Sequence, residues 1–262
     1  MDLGLDKRCV LVTGSHRGTG LVIARRFADE GAAVVLHGLV PDKRDALIAE
    51  TGASAFVHGD IATREGTDAV VEQIRELGLT IDVLVNNYGT AGGGRWLEDD
   101  DDVWLDMYQK NTLSVSRLVR ALVPFMQAAG GGRIINLGTV GSTRPGHRMP
   151  GYYAAKGALA TMTVSLAKSL AGQNITVNLV SPGLIRTPEV EASYLEVAKR
   201  NDWGDTFDAA EEKIAERYFP NPLGRFATRE EVADVVLFLA STQAAFVNGQ
   251  NIRVDGGALD IV

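Results

Sequence analysis

The chain has 262 residues and a net charge of −7, with 45% hydrophobic and 23% charged residues. This is the composition of an ordinary folded protein, long enough for one large α/β domain or two small ones. The acidic balance and scattered Lys and Arg speak against a nucleic-acid surface, no stretch nears the ~20 apolar residues of a membrane span, and the first eight residues lack the apolar core of a secretory signal.

Short apolar runs alternate with amphipathic stretches along the chain. Residues 9–13 read as a first strand; its Cys9 is the only cysteine, a buried inert thiol in a reducing cytoplasm. The strand runs into Thr13-Gly14-Ser15-His16-Arg17-Gly18-Thr19-Gly20 and then a helix over 21–30. Glycines at a strand-to-helix turn let the backbone approach a pyrophosphate, and the helix start supplies free N–H donors. The spacing Gly-x-x-x-Gly-x-Gly differs from the general dinucleotide fingerprint, but its strand–turn–helix setting is the expected one.

Further strands are predicted over 33–37, 55–58, 81–86, 133–137, 175–181 and 252–254, and helices over 42–50, 63–77, 103–129, 152–170 and 229–240. Apolar strands each followed by a helix predict a Rossmann-type, doubly wound parallel α/β sheet of seven strands in a single domain, with helices on both faces. The acidic run Glu98–Asp102 reads as a solvated helix cap. An insertion at about 188–222 carries Tyr194, Trp203, Phe207, Tyr218 and Phe219 and reads as one or two short helices. It forms either a substrate lid or a segment that its aromatics merely pin to the body.

The helix over 152–170 opens with Tyr152-Tyr153-Ala154-Ala155-Lys156. Positions i and i+4 share a helix face, so a Lys156 ammonium beside the Tyr152 phenol lowers its pKa from about 10 and makes it a general acid/base. Pro150-Gly151 puts Tyr152 in the first helical turn, where the positive helix end favours phenolate as well. Tyr153 points about 100° away from that face.

Thr13-Gly14-x-x-x-Gly18-x-Gly20, Asn86-Asn87-Tyr88-Gly89, Asn111, Tyr152-x-x-x-Lys156 and Pro182-Gly183 stand in the order of the short-chain dehydrogenase/reductase family. The chain resembles that family over nearly its whole length, most closely its 3-oxoacyl-[acyl-carrier-protein] reductase-like members. The resemblance implies hydride transfer between a nicotinamide dinucleotide and a carbonyl or secondary alcohol. Tyr152 is then the proton donor, Lys156 its partner and a holder of the nicotinamide ribose, and Asn111 the anchor of a proton-relay water. The family's serine falls thirteen residues before the tyrosine, at Thr139, which keeps the hydroxyl; Ser142 is the alternative.

By the same resemblance Gly14, His16, Arg17, Gly18, Thr19 and Gly20 cradle the cofactor phosphates. Gly38, Asp60, Ile61, Asn86, Asn87 and Gly89 line the adenosine side, while Pro182, Gly183, Ile185 and Thr187 hold the nicotinamide. NAD-specific members carry an acidic residue where Gly38 stands. Without a carboxylate there, and with Arg17 in the turn, NADP(H) is favoured over NAD(H). Tyr88 replaces a residue that is usually small, and so narrows the pocket or shifts the next loop. Arg95, Trp96, His147 and Arg148 are candidates for substrate contact, with the arginines selecting an acidic or phosphorylated substrate or standing as solvated loop charges.

The partners expected are a small-molecule carbonyl or alcohol and, by resemblance, further copies in a homotetramer. A 3-oxoacyl thioester and a small cyclic alcohol, sugar or diol are both open as substrates. So is a dinucleotide-binding sensor without turnover, at which Thr139 and Tyr88 hint.

Overall fold

A computed structural model describes residues 2–261. Its centre is an all-parallel sheet in the order β3-β2-β1-β4-β5-β6-β7. The strands are β1 (Cys9–Val12), β2 (Ala33–Gly38), β3 (Ala55–His58), β4 (Val83–Asn86), β5 (Gly132–Leu137), β6 (Ile175–Pro182) and β7 (Asn251–Val254). All seven predicted strands are present, and β6 stops at the proline that has no N–H to continue the ladder. The order reverses between β1 and β4, and at such a switch point the carboxyl ends of the strands open a crevice.

Side chains alternate across the sheet, so β1 sends Val10 and Val12 into one core and Cys9 and Leu11 into the other. The first core packs under α1 (Gly18–Asp29), α2 (Arg44–Thr51) and α9 (Arg229–Ala240). The second packs under α3 (Arg64–Glu76), α5 (Ser114–Ala128) and α6 (Pro150–Ser169). Burial on both faces is why the strands read as continuous apolar runs. Cys9 is buried as expected, and burial beside Asp82 pushes its thiol up to about 11, so it stays protonated.

The helix predicted over 103–129 is three pieces. α4 (Asp101–Tyr108) passes into a π-helical turn at Gln109–Leu113 before α5 begins. Asp100 caps α4 by accepting from Val103 N–H at 3.0 Å, which gives the acidic run the capping role predicted for it. The extra residue of a π turn rotates the following side chains, and such turns concentrate at functional sites. Here the turn buries Asn111 completely.

The insertion holds two helices, α7 (Pro188–Arg200) and α8 (Phe207–Tyr218), around a small core of Ala198, Phe207, Ala210, Ile214, Ala215 and Phe226. Tyr194 stacks on Tyr218 at 5.1 Å and meets Phe226 edge-on at 5.6 Å. Arg186, just before α7, binds Glu191 on α7 and Asp208 and Glu211 on α8, and lies over the Phe207 ring. Among the described residues no helix is long and apolar enough to cross a membrane.

Candidate active site

The glycine turn lies at the carboxyl end of β1. Gly14 and Gly18 both have φ near +60°, a region that side chains disfavour. A Cβ on Gly20 would fall 2.7 Å from the Gly14 carbonyl and 2.4 Å from Asn87 Nδ2, so only glycine lets α1 start this close to the turn. A Cβ on Gly18 would meet nothing, because this edge faces open space. Arg17 is the N-cap of α1 and its side chain makes no cap hydrogen bond, so the first-turn N–H groups face the crevice without a side-chain acceptor. Free donors, a positive helix end and open space beside Gly18 fit a dinucleotide pyrophosphate.

Asn87 braces this turn from β4. Its Nδ2 donates to the Thr13 carbonyl at 2.9 Å, and its backbone N–H donates to Thr13 Oγ1 at 3.0 Å. His16 lies beside Gly38, where an added Cβ would come within 3.4 Å of His16 Cβ and 2.9 Å of the Phe56 ring. Any side chain at position 38, an acid included, would have to displace that ring.

Farther along the crevice a cavity of about 150 Å³ is lined by Thr19, Gly89, Asn111, Tyr152, Lys156, Pro182 and Ile185, among others. The Thr139 side chain lies near the Tyr152 phenol and acts to lower its pKa, while Thr139 Oγ1 accepts from Gly141 N–H at 3.1 Å. Lys156 is buried and donates from Nζ to the Leu137 carbonyl at 2.7 Å. Asn111 accepts from Thr90 N–H at 3.2 Å and donates to the Thr90 carbonyl at 3.0 Å, pinning the loop after β4. Thr112 Oγ1 donates to the Ala155 carbonyl at 2.8 Å and so joins the π turn to the helix carrying Lys156. Asn111 is thus no helix-surface amide.

The protonation of the pair departs from the simple i, i+4 expectation. Burial pushes the Tyr152 phenol up to about 12, against the downward pull of the nearby Thr139 side chain. Burial also pushes the Lys156 ammonium down to about 8. Desolvation is the leading cause for both, neither shifts the other, and neutral pH leaves both groups protonated. A protonated phenol is a proton donor, the form that carbonyl reduction needs.

The profile of the family described as enoyl-(acyl carrier protein) reductase matches residues 14–258. The chain belongs to the short-chain dehydrogenase/reductase family. Over 97% of its length it is 34% identical to the 3-oxoacyl-[acyl-carrier-protein] reductase FabG of Thermotoga maritima, covering 98% of that protein. It is 36% identical to the oxidoreductase YvrD of Bacillus subtilis over 99% of both chains. A solved structure of L-sorbose reductase from Gluconobacter frateurii, complexed with NADPH and L-sorbose, is 36% identical and superposes with a TM-score of 0.92 over 100% of both chains. This short-chain dehydrogenase/reductase is therefore an oxidoreductase of carbonyls and alcohols that uses a nicotinamide cofactor and a small-molecule substrate.

Several residues expected in the site do other work. Asn86 is 2% exposed and donates to Asn136 Oδ1 at 2.9 Å, within a buried chain that runs on to Thr163 on α6. It ties the sheet to that helix, while its Oδ1 is buried without a hydrogen-bond partner among the described residues. The Ile61 side chain belongs to the second core. Ser142 Oγ donates to the Thr139 carbonyl at 2.8 Å. Gly183 is crowded by the ring of Phe219, which follows α8, 2.4 Å from where its Cβ would stand, so packing against the insertion already requires a glycine there. The Thr187 hydroxyl caps α7, accepting from Val190 N–H at 3.3 Å.

The loops carrying the candidate substrate residues do not face each other across a gap. They are joined: Arg95 and Arg148 pair in an antiparallel bridge, and Met149 N–H donates to the Gly94 carbonyl at 2.9 Å. Trp96 stacks on Trp104 at 5.1 Å, and His147 is exposed. Met149 has φ +58° as the N-cap of α6, so the joined loops hold a strained residue immediately before Pro150 and Tyr152.

Sequence reading missed His37. It is fully buried near the end of β2, accepts from Gly14 N–H through Nδ1 at 3.0 Å, and donates through Nε2 to the Gly59 carbonyl at 3.0 Å. Ser15 Oγ in turn accepts from the His37 backbone N–H at 2.9 Å. The imidazole thus clamps the glycine turn to the end of β3. Burial lowers its pKa to about 4 and keeps it neutral. A histidine inside an otherwise apolar strand run was the available signal.

Proposed function

We propose that this short-chain dehydrogenase/reductase uses NADP(H) to interconvert a polyhydroxylated ketone and its secondary alcohol, with Tyr152 as the proton donor. The observation carrying this reading is that Tyr152 and Lys156 line one cavity with Asn111, the Thr139 side chain lying close enough to lower the phenol's pKa. The bound cofactor supplies the hydride. Tyr152, protonated at neutral pH, gives its proton to the carbonyl oxygen as negative charge builds there. The Thr139 hydroxyl polarises the same oxygen. Lys156, close to Gly89 and Asn111, keeps a positive charge beside the phenol and restores its proton after turnover.

NADP(H) is supported by Gly38 standing where a carboxylate would repel a 2′-phosphate, and by the exposed Arg17 in the turn. The NADPH of the sorbose reductase complex agrees with it. That neighbour's substrate, with its full-length superposition, favours a ketose-like compound. Reduction of a 3-oxoacyl thioester is the second reading, supported by relatives such as that of Thermotoga maritima. The paired helices α7 and α8 act as the substrate lid in either case. Leu105, Leu113, Phe125 and Val164, exposed on the helices of 101–169, support assembly with further copies into a homotetramer. The lone buried Cys9 suits a reducing cytoplasm.

NADPH oxidation measured with L-sorbose, other ketohexoses and a short 3-oxoacyl thioester tests the reading. Turnover with ketoses, a higher kcat/KM with NADPH than NADH, and loss of turnover in Tyr152→Phe with NADPH affinity retained are expected. A preference for the thioester would overturn the substrate class. A preference for NADH would overturn the cofactor, and retained turnover in Tyr152→Phe would overturn the mechanism.

A further inference from the structure

Tyr88 follows β4 and Asp60 follows β3, yet the Tyr88 hydroxyl donates to Asp60 Oδ1 at 3.0 Å. Two strands, β1 and β2, lie between β4 and β3 in the sheet. Three strand spacings amount to about 14 Å. The ring must therefore extend over the carboxyl ends of β1 and β2 to close this bond. Two contacts agree: a Cβ on Gly14 would fall 3.1 Å from Tyr88 Cα, and the His37 ring meets the Tyr88 ring edge-on at 6.2 Å. Tyr88 is thus part of the floor of the crevice beside the glycine turn.

The Asp60 carboxylate is held firmly at one oxygen. Oδ1 accepts from Tyr88 and from Ala62 N–H at 3.0 Å, while Oδ2 has no protein partner among the described residues. With a pyrophosphate on the glycine turn, the two nucleosides of a dinucleotide extend in opposite directions. Tyr152 and Lys156 mark the nicotinamide end, so the adenosine lies over β2 and β3. A flat aromatic wall with a free carboxylate oxygen matches a purine that presents an exocyclic amino group, since a carboxylate accepts from an amino group and repels a carbonyl.

We propose that Tyr88 is a positioning residue for purine recognition: its hydroxyl orients Asp60 so that the free oxygen accepts from the adenine amino group of the cofactor. This rests on the dinucleotide reading above. Burial and the Asp60 charge raise the phenol's pKa, so it stays a donor at any working pH.

The test is equilibrium binding, by NADPH fluorescence and calorimetry, of NADPH and of its hypoxanthine analogue, in which the 6-amino group is a carbonyl. Wild type is expected to bind NADPH at least about tenfold tighter than the analogue. Tyr88→Phe, which keeps the ring, is expected to reduce that ratio to about threefold or less, and Asp60→Asn to bring it near one. A merely structural Tyr88 would weaken both ligands equally and leave the ratio unchanged, which overturns the proposal. Equal binding of the two ligands by wild type overturns it as well, whether or not the variants fold. If wild type binds neither ligand, the dinucleotide reading itself fails and the assignment of Tyr88 fails with it.

Discussion

The Ser142 hydroxyl donates to the Thr139 carbonyl, while the Thr139 side chain is the one near enough to the Tyr152 phenol to lower its pKa. The two hydroxyls stand three residues apart on the same short turn and have separate tasks: Ser142 closes the turn, and Thr139 meets the phenol.

Thr139→Ala is accordingly expected to lower kcat about 10²–10³-fold, the usual cost of removing a donor to a developing oxyanion. Thr139→Ser, which keeps the hydroxyl, should stay within about threefold of wild type, and so should Ser142→Ala. Steady-state NADPH oxidation with the best substrate measures all three. A collapse confined to Ser142→Ala would reverse the assignment.

Lys156 is a buried cation, and function conflicts with stability there. Its pKa falls from an ordinary 10.5 when unfolded to about 8 when folded, so the unfolded chain holds more protons between those values. Stability therefore rises with pH across that window, and the whole penalty is present at neutral pH. Lys156→Met is expected to abolish turnover yet stabilise the fold by about 1–2 kcal/mol at pH 7, once the donor lost by the Leu137 carbonyl is counted. Urea unfolding at pH 7 and pH 9.5 checks this; the variant's advantage should shrink at the higher pH.

His37 gives a slope of the same sign in a lower pH window. Its pKa drops from 6.5 to about 4 on folding, so the unfolded chain takes up the extra proton between those values. The stability it contributes is complete above pH 6.5 and falls away toward pH 4, by about 2–3 kcal/mol. His37→Gln, whose amide can replace both hydrogen bonds, should flatten this part of the pH profile. It should also weaken dinucleotide binding, because the clamp on Gly14 would be less rigid. Denaturation between pH 4.5 and 7.5, with NADPH titration at pH 7, measures both effects.

The sheet was legible because buried parallel strands are apolar on both faces, and residues 9–13 or 175–181 have no other use for such runs. The glycine turn was legible because its chemistry is local: the turn and the helix start it feeds are contiguous in sequence. The same holds for Tyr152 and Lys156, one helical turn apart. The π turn was not legible, because its extra residue is chosen by the burial of Asn111 against Thr90 and not by any local preference. The bond of Asn86 to Asn136 was not legible for a related reason, since the two are fifty residues apart and adjacent only through strand pairing.

Sequence alone therefore determined the fold class, and residue types at short spacing pointed to a glycine turn and to Tyr152 and Lys156 as the proposed acid/base pair. The tertiary structure decided their electrostatic state and their supports. Burial, which no spacing reports, pushes Tyr152 up to about 12 and Lys156 down to about 8, where the i, i+4 spacing alone predicts a lowered phenol. Strand order brought Tyr88 to Asp60 and His37 to Gly14, because residues remote in the chain become neighbours only through the lateral order of the strands that carry them.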